Sequence, residues 1–160
     1  MYVVYKNTIT ADEVNTIRKS MGWRQILPEQ LQAGLDGSAL ITAAYEENKT
    51  IGMARLSWDG GYSAVISDIL IIPEYRNKGI ENKLITNILD FLRNQLKSGF
   101  GIQVDIRAWN NDEALFESLG FQVSKKEQRG VPMHICLTNQ IELTDAKFKQ
   151  IEFSEKDTGK

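Results

Sequence analysis

The chain has 160 residues, of which 42% are hydrophobic and 25% are charged, as is ordinary for a globular protein with a single core. The formal net charge of −2 lacks the basic field that nucleic-acid or anionic-membrane binding requires, so we expect neither partner. The one cysteine, Cys136, excludes an intramolecular disulfide and a multi-cysteine zinc site, and we expect no metal. The first residues, MYVVYKNT, lack the apolar core of a signal peptide, which predicts a cytoplasmic protein.

The first half of the chain shows two helical patterns and then three strand patterns. In chain order, we predict a strand over residues 2–6, a helix that begins at the capping box of Thr10 and Glu13, a helix over 28–35, and strands over 38–46, 50–58 and 62–72. Turn signals at 47–49 and 59–61 separate the three strands, which predicts that they pair antiparallel.

The second half begins with a basic loop and an amphipathic helix. The apolar face of this helix predicts packing on a sheet; its residues are Leu84, Ile85, Ile88, Leu89, Leu92 and Leu96. We then predict a strand over 101–107, a short helix over 111–119, and a closing hairpin of strands 121–126 and 133–138. This order predicts an α/β fold with a mixed, largely antiparallel central sheet flanked by helices. Residues 139–160 are predicted to be a partly disordered C-terminal extension.

The most informative stretch runs from Ile69 to Leu89. An apolar, β-branched strand leads into Pro73, then a short basic loop, then a helix. Such a unit directs several backbone N–H groups and the positive end of a helix dipole at one point, an arrangement that binds phosphate. The alternative is a basic turn that begins an ordinary helix.

The loop Arg76-Asn77-Lys78-Gly79-Ile80-Glu81 resembles the acyl-CoA pyrophosphate loop of the GNAT superfamily of N-acetyltransferases. The family has Gln or Arg at the first position, Gly at the fourth, and Gly or Ala at the last, where this chain departs. A second match is the segment Phe-Glu-Ser-Leu-Gly-Phe over 116–121, which is similar to the family's Tyr-Glu-Lys-Leu-Gly-Phe. The predicted element order is also that of the GNAT fold. The resemblance therefore implies a GNAT-like acyltransferase domain over residues 1–138.

The resemblance implies transfer of an acetyl group from acetyl-CoA, as cosubstrate, to a primary amine of a small molecule or peptide, by direct attack in a ternary complex. Its cofactor-binding positions correspond here to main-chain groups of Ile69 and Ile71, the loop Arg76, Asn77, Lys78, Gly79, Ile80 and Glu81, and Asn110, Asn111 and Phe116. The two asparagines are explained equally well as helix caps. Phe116 packs against the cofactor in this interpretation, or against the core.

The resemblance also makes Asp68 the candidate catalytic base, because the family often has an acid at or near this position that removes a proton from the acceptor amine. In this chain Asp68 lies in an apolar run, where an acid is costly unless it is solvated or partnered. An alkylamine with a pKa of about 10.4 is mostly protonated at neutral pH and must lose a proton before it can attack. The alternative is an aspartate that bonds local N–H groups at a strand bulge. His134, in the predicted last strand, is interpreted as a base or relay near the acceptor or as a structural histidine.

Two residues depart from the family pattern. Glu81 places a carboxylate beside the predicted diphosphate site, and Phe116 stands where a tyrosine would protonate the departing thiolate. These departures leave open a catalytically impaired GNAT-fold protein that serves as a CoA-sensing or protein-binding module. An unrelated phosphate-binding α/β domain is a third alternative. The acceptor is not predicted, and exposed sheet edges leave a homodimer possible.

Overall fold

The computed structural model describes residues 1–109, 112–135 and 137. Residues Met1–Arg107 form one compact unit, and a second unit begins at Ala108. The strands of the first unit are β1 (Val4–Lys6), β2 (Leu40–Glu46), β3 (Lys49–Trp58), β4 (Ser63–Ile71) and β5 (Gln103–Ile106). Its α-helices are α1 (Ala11–Ser20), α2 (Pro28–Asp36) and α3 (Ile80–Gln95), and a 3₁₀ turn spans Pro73–Tyr75. The described part of the second unit contains α4 (Glu113–Ser118) and α5 (Lys126–Arg129).

The five strands of the first unit form one sheet in the order β1-β2-β3-β4-β5. The first four strands pair antiparallel with their neighbours, and β5 runs parallel to β4. The prediction of a mixed, largely antiparallel sheet in an α/β fold is therefore confirmed. Parallel pairing follows because the long α3 crossover separates β4 from β5 along the chain.

Helices cover both faces of the sheet. Gly52 of β3 faces α3, since a Cβ atom at Gly52 would lie 3.6 Å from Ile80 Cγ2. Arg55 lies on the opposite face of β3, where its Nη1 donates a hydrogen bond to Gly34 O of α2. Of the predicted apolar face of α3, Leu84, Ile85, Ile88 and Leu92 are buried and Leu89 is half-buried; Ile80 is buried as well. Leu96 was predicted on this face but is 45% exposed, because the helix ends at Gln95.

The predicted capping box of α1 is present. Thr10 N donates to Glu13 Oε2 at 2.8 Å, and Glu13 N donates to Thr10 Oγ1 at 3.2 Å. The second carboxylate oxygen of Glu13 accepts a hydrogen bond of 2.6 Å from Thr50 Oγ1 of β3. The Glu13 side chain therefore caps the start of α1 and also links this helix to β3 by a hydrogen bond.

The predicted closing hairpin is wrong for the described residues between 121 and 137. None of them lies in a strand, and α5 occupies Lys126–Arg129 inside the first predicted strand and the turn. The reason is local, because Lys, Glu, Gln and Arg are all strong helix formers, and Gly130 ends the turn with a φ of 72°. Thr138 and the predicted extension 139–160 lie outside the described residues. No helix in the described ranges is both long and apolar enough to cross a bilayer.

Candidate functional site

Strands β4 and β5 separate partway along β4. Their pairing runs from Ser63 opposite Gln103 to Ile66 opposite Ile106. On its other side, β4 stays paired with β3 as far as Ile71, which lies opposite Gly52. From Ser67 onward, β4 therefore has one paired edge and one edge without a β5 partner, and we call this second edge the open edge of β4.

Main-chain groups of Ile71 point toward the open edge. Ile72 N donates to Ile51 O at 2.9 Å, and Ile71 lies directly opposite Gly52. In an antiparallel ladder, this bond defines Ile71 and Gly52 as a non-hydrogen-bonded pair, whose own N–H and C=O groups point away from each other. The N–H and C=O of Ile71 are thus directed away from β3. Ile69 lies within a bulge, where this regular alternation does not apply.

The bulge is centred on Asp68. Leu70 pairs with Met53 and Ser67 pairs with Arg55, so two residues of β4 stand opposite the single residue Ala54. Asp68 takes up the extra length with a φ of 49°, a left-handed conformation that aspartate tolerates better than most residues. This position at a bulge agrees with the structural alternative to a catalytic role, in which Asp68 is an aspartate at a strand bulge.

The alternative role for Asp68 also predicted that its side chain bonds N–H groups of the bulge. The side chain instead bonds the guanidinium of Arg55. Its Oδ2 accepts a hydrogen bond of 2.5 Å from Arg55 Nε, and both side chains are about one-quarter exposed. The catalytic role of Asp68 stays a prediction.

The loop after β4 is fastened to the turn between β2 and β3. The Tyr75 hydroxyl donates a hydrogen bond of 2.5 Å to Glu46 Oε2, and this bond is the main cause that raises the pKa of Tyr75. Lys78 Nζ lies 5.0 Å from the centroid of the Tyr75 ring. The loop therefore has a defined position, with the Lys78 cation held beside it.

The N-terminus of α3 is open. Gly79 is the N-cap residue with a φ of 81°, and no side chain of the described residues caps the helix. A Cβ atom at Gly79 would meet no heavy atom within 4 Å, so the space above this residue is accessible. Uncapped N–H groups beside Arg76 and Lys78 match the requirements of a diphosphate. The side chain of Ile80 is buried, which leaves only its main chain for this role.

Glu81, the acidic departure from the family pattern, is half-buried in the first turn of α3. Burial raises the pKa of Tyr5 on β1, and the negative charge of Glu81 raises it further. The Glu81 carboxylate is therefore within electrostatic range of β1, the edge of the sheet opposite β5.

The other predicted residues lie in the second unit. Phe116 is 4% exposed, and its ring meets that of Phe121 edge-on with a centroid distance of 6.2 Å. This packing agrees with the core interpretation of Phe116. His134 is exposed and lies outside helices and strands, so its predicted place in a last strand is wrong. Asn110 and Asn111 lie outside the described residues.

Arg55 is the residue that sequence reasoning missed. It falls on the same face of β3 as Met53, which is fully buried. A charged side chain in such a pattern requires a partner, and Asp68 is the acid in the apolar run of the next strand. Recognising Arg55 as a charged residue on a buried face would have predicted the pair.

Comparison with known proteins agrees with this architecture. The family model for the acetyltransferase (GNAT) domain matches residues 5–138. An uncharacterized N-acetyltransferase, ycf52, from Gracilaria tenuistipitata var. liui is 28% identical over 98 residues, which are 58% of this chain and 53% of that protein. Histone acetyltransferase TAP1 from Glycine max is 23% identical over 130 residues, covering 74% of this chain and 54% of that protein. The chain spans about half the length of these curated relatives.

Solved structures share the fold. A probable acetyltransferase of unknown function from meticillin-resistant Staphylococcus aureus has a TM-score of 0.72 at 20% identity, covering 84% of this chain and all of that one. N-acetylglutamate synthase from Neisseria gonorrhoeae, in complex with coenzyme A and L-arginine, has a TM-score of 0.59 at 16% identity and covers 94% of this chain and 31% of that one. The family match excludes the unrelated phosphate-binding domain considered above. The chain belongs to the GNAT acetyltransferase family.

Proposed function

We propose that the protein is an N-acetyltransferase that transfers the acetyl group of acetyl-CoA to a primary amine by direct attack. Membership of the GNAT family supports the reaction class. The observation that carries the proposal is the combination of the open edge of β4 with the uncapped N-terminus of α3. These two features offer main-chain donors to the two parts of one ligand, a diphosphate and an amide-rich arm.

The diphosphate would be held by the loop between the 3₁₀ turn and α3. Main-chain N–H groups from Asn77 to Glu81 would donate to phosphate oxygens, and Arg76 would add a charge-assisted bond. Gly79 permits close approach because its left-handed φ and absent side chain leave the helix end open. The Tyr75–Glu46 bond keeps the loop in place before the ligand arrives.

The pantetheine arm would lie along the open edge of β4. The N–H and C=O of Ile71, with those of Ile69, would bond its amides, and an N–H of this edge would polarise the thioester carbonyl. Asn110 and Asn111 are proposed to contribute further bonds to the arm. Bound acetyl-CoA supplies an activated acetyl group, and the protein would supply its orientation.

Asp68 is proposed to accept the proton of the incoming ammonium group. The freed nitrogen lone pair would then form the bond to the acetyl carbon, the nitrogen would give its second proton to water, and the C–S bond would break with its electron pair on sulfur. Phe116 has no proton to donate, so the thiolate would leave unaided or take a proton from water. A thiol with a pKa of about 8.5 is a tolerable leaving group under these conditions. The acceptor would be a small molecule or peptide with a primary amine.

The proposal is tested by acetyl-CoA binding and by thiol release across a panel of primary amines. Acetyl-CoA at 100 times its Kd should stabilise the protein by about 2.7 kcal/mol in thermal unfolding. Replacing both loop cations, as Arg76→Gln with Lys78→Gln, should weaken binding, whereas the exposed Arg93→Gln on α3 should not. Binding without thiol release would favour the CoA-sensing module, and no binding would refute the cofactor assignment.

A further inference from the structure

One guanidinium joins three elements, β3, β4 and α2, on the face of the sheet that α2 covers. Arg55 Nε donates to Asp68 Oδ2 in the bulge of β4, at 2.5 Å. Arg55 Nη1 donates to Gly34 O in the last turn of α2 at 3.1 Å and to Ser38 Oγ at 3.4 Å. Arg55 therefore connects the C-terminal end of α2 to the strand that carries the open edge.

The C-terminal end of α2 and the Asp68 carboxylate both favour a cation between them. The C-terminal end of α2 carries the negative end of the helix dipole, and its last turn contains no basic residue. The Asp68 carboxylate lies among apolar strands and needs a charged partner. A lysine would have to reach both ends from a single nitrogen, whereas an arginine presents separate nitrogens in a rigid fork, one toward Asp68 and one toward Gly34 O.

We infer that Arg55 is a positioning residue for Asp68. It holds the carboxylate at the bulge and couples the orientation of that carboxylate to the end of α2. The inference rests on the proposed function, in which Asp68 accepts the proton of the amine. The described residues bond Asp68 through Oδ2, so Oδ1 is the oxygen that would receive the proton.

This role makes a specific kinetic prediction. Loss of the guanidinium lets the carboxylate rotate, so Arg55→Gln should lower kcat on the order of 10²-fold while the KM for acetyl-CoA stays the same. Asp68→Asn should lower kcat at least as much. Arg55→Lys should recover part of the loss, because it restores the charge without the second bond.

The decisive measurement is a double-mutant cycle of kcat with Arg55→Gln and Asp68→Asn. A positioning role predicts that Arg55→Gln has no further effect once Asp68 is replaced, whereas a purely structural role predicts that the two losses multiply. The number of acetyl-CoA molecules bound per chain gives the folded fraction of each variant, and each measured rate is divided by this fraction. A matched cycle with Arg93→Gln and Asp90→Asn, an exposed ion pair of the same types on α3, should leave kcat unchanged.

Thermal unfolding of the wild-type protein, the Arg55→Gln and Asp68→Asn variants and their double variant separates failure of the proposed function from failure of the positioning inference. If the Arg55 and Asp68 variants are coupled in stability but the wild-type protein acetylates no amine, the proposed function fails and the ion pair stands. If the wild-type protein is active and the losses in kcat multiply, the positioning inference is overturned and the proposed function stands.

Discussion

Gly52 is a position in β3 where a single added methyl group should disturb the candidate site. Its ideal Cβ atom would lie 2.5 Å from Ile71 Cδ1 and 3.0 Å from Leu70 O. The side-chain contact is far below the 3.5–4.0 Å of a favourable carbon–carbon contact, and the carbonyl belongs to the β4 backbone. Ile71 is 3% exposed, so its side chain has little room to withdraw. Gly52→Ala must therefore turn the end of the Ile71 side chain within its packed surroundings, or move the β4 backbone at Leu70 by a few tenths of an ångström.

The expected cost follows from these contacts. Overpacking a buried position costs about 1–3 kcal/mol, and replacing glycine by alanine in a strand returns about 0.4–1 kcal/mol through the unfolded chain. The net loss is on the order of 1–2 kcal/mol, which should lower Tm by roughly 4 °C for each kcal/mol. Because Ile71 also carries the main-chain groups at the open edge, acetyl-CoA affinity should fall as well.

Thermal and urea unfolding of the variant measure the loss, and calorimetric titration measures the affinity. Gly101→Ala is the matched control, since a Cβ atom at Gly101 meets no heavy atom within 4 Å. This control should be neutral or slightly stabilising. If Gly52→Ala unfolds at the wild-type temperature or above, the close packing of β3 against Ile71 is refuted.

Two further predictions concern single carboxylates. Burial raises the pKa of Glu13, but hydrogen bonds from Thr50 and Thr10 outweigh burial and leave it below its ordinary value of 4.5. Glu13→Gln should therefore lower the free energy of unfolding by about 0.5–2 kcal/mol at neutral pH. Urea unfolding should show that this difference between variant and wild type shrinks as the pH falls below 4.5. A difference that does not depend on pH would contradict the prediction. Glu81→Gln should raise acetyl-CoA affinity by less than about tenfold, or 1.4 kcal/mol, because solvent screens the charge of a half-buried carboxylate. A much larger rise in calorimetric titration would show that the carboxylate lies directly against the bound diphosphate.

The local patterns of the first unit predicted its elements well. The capping box of Thr10 and Glu13, the apolar face of α3 and the turns between β2, β3 and β4 each depend on residues near one another along the chain. Local rules of capping and periodicity are sufficient for such features. The open helix end after Gly79 was predictable for the same reason, because a glycine before an amphipathic helix supplies no capping side chain.

The predicted hairpin shows where local rules conflict. The apolar alternation around Met133 favoured a strand, but the preceding Lys126–Arg129 segment has high helix propensity and forms a turn of helix. Strand pairing depends on a neighbouring edge that the alternation alone cannot identify.

The amino-acid sequence by itself determined the element order of the first unit, the basic loop before an amphipathic helix and the family to which the chain is similar, because these depend on short-range spacing. Only the tertiary structure decided that β4 leaves β5 after Ile66, that Asp68 occupies a bulge, and that its carboxylate is paired with Arg55. Strand register and ion pairing join residues that are distant in sequence, and their geometry is set by the packing of the whole sheet.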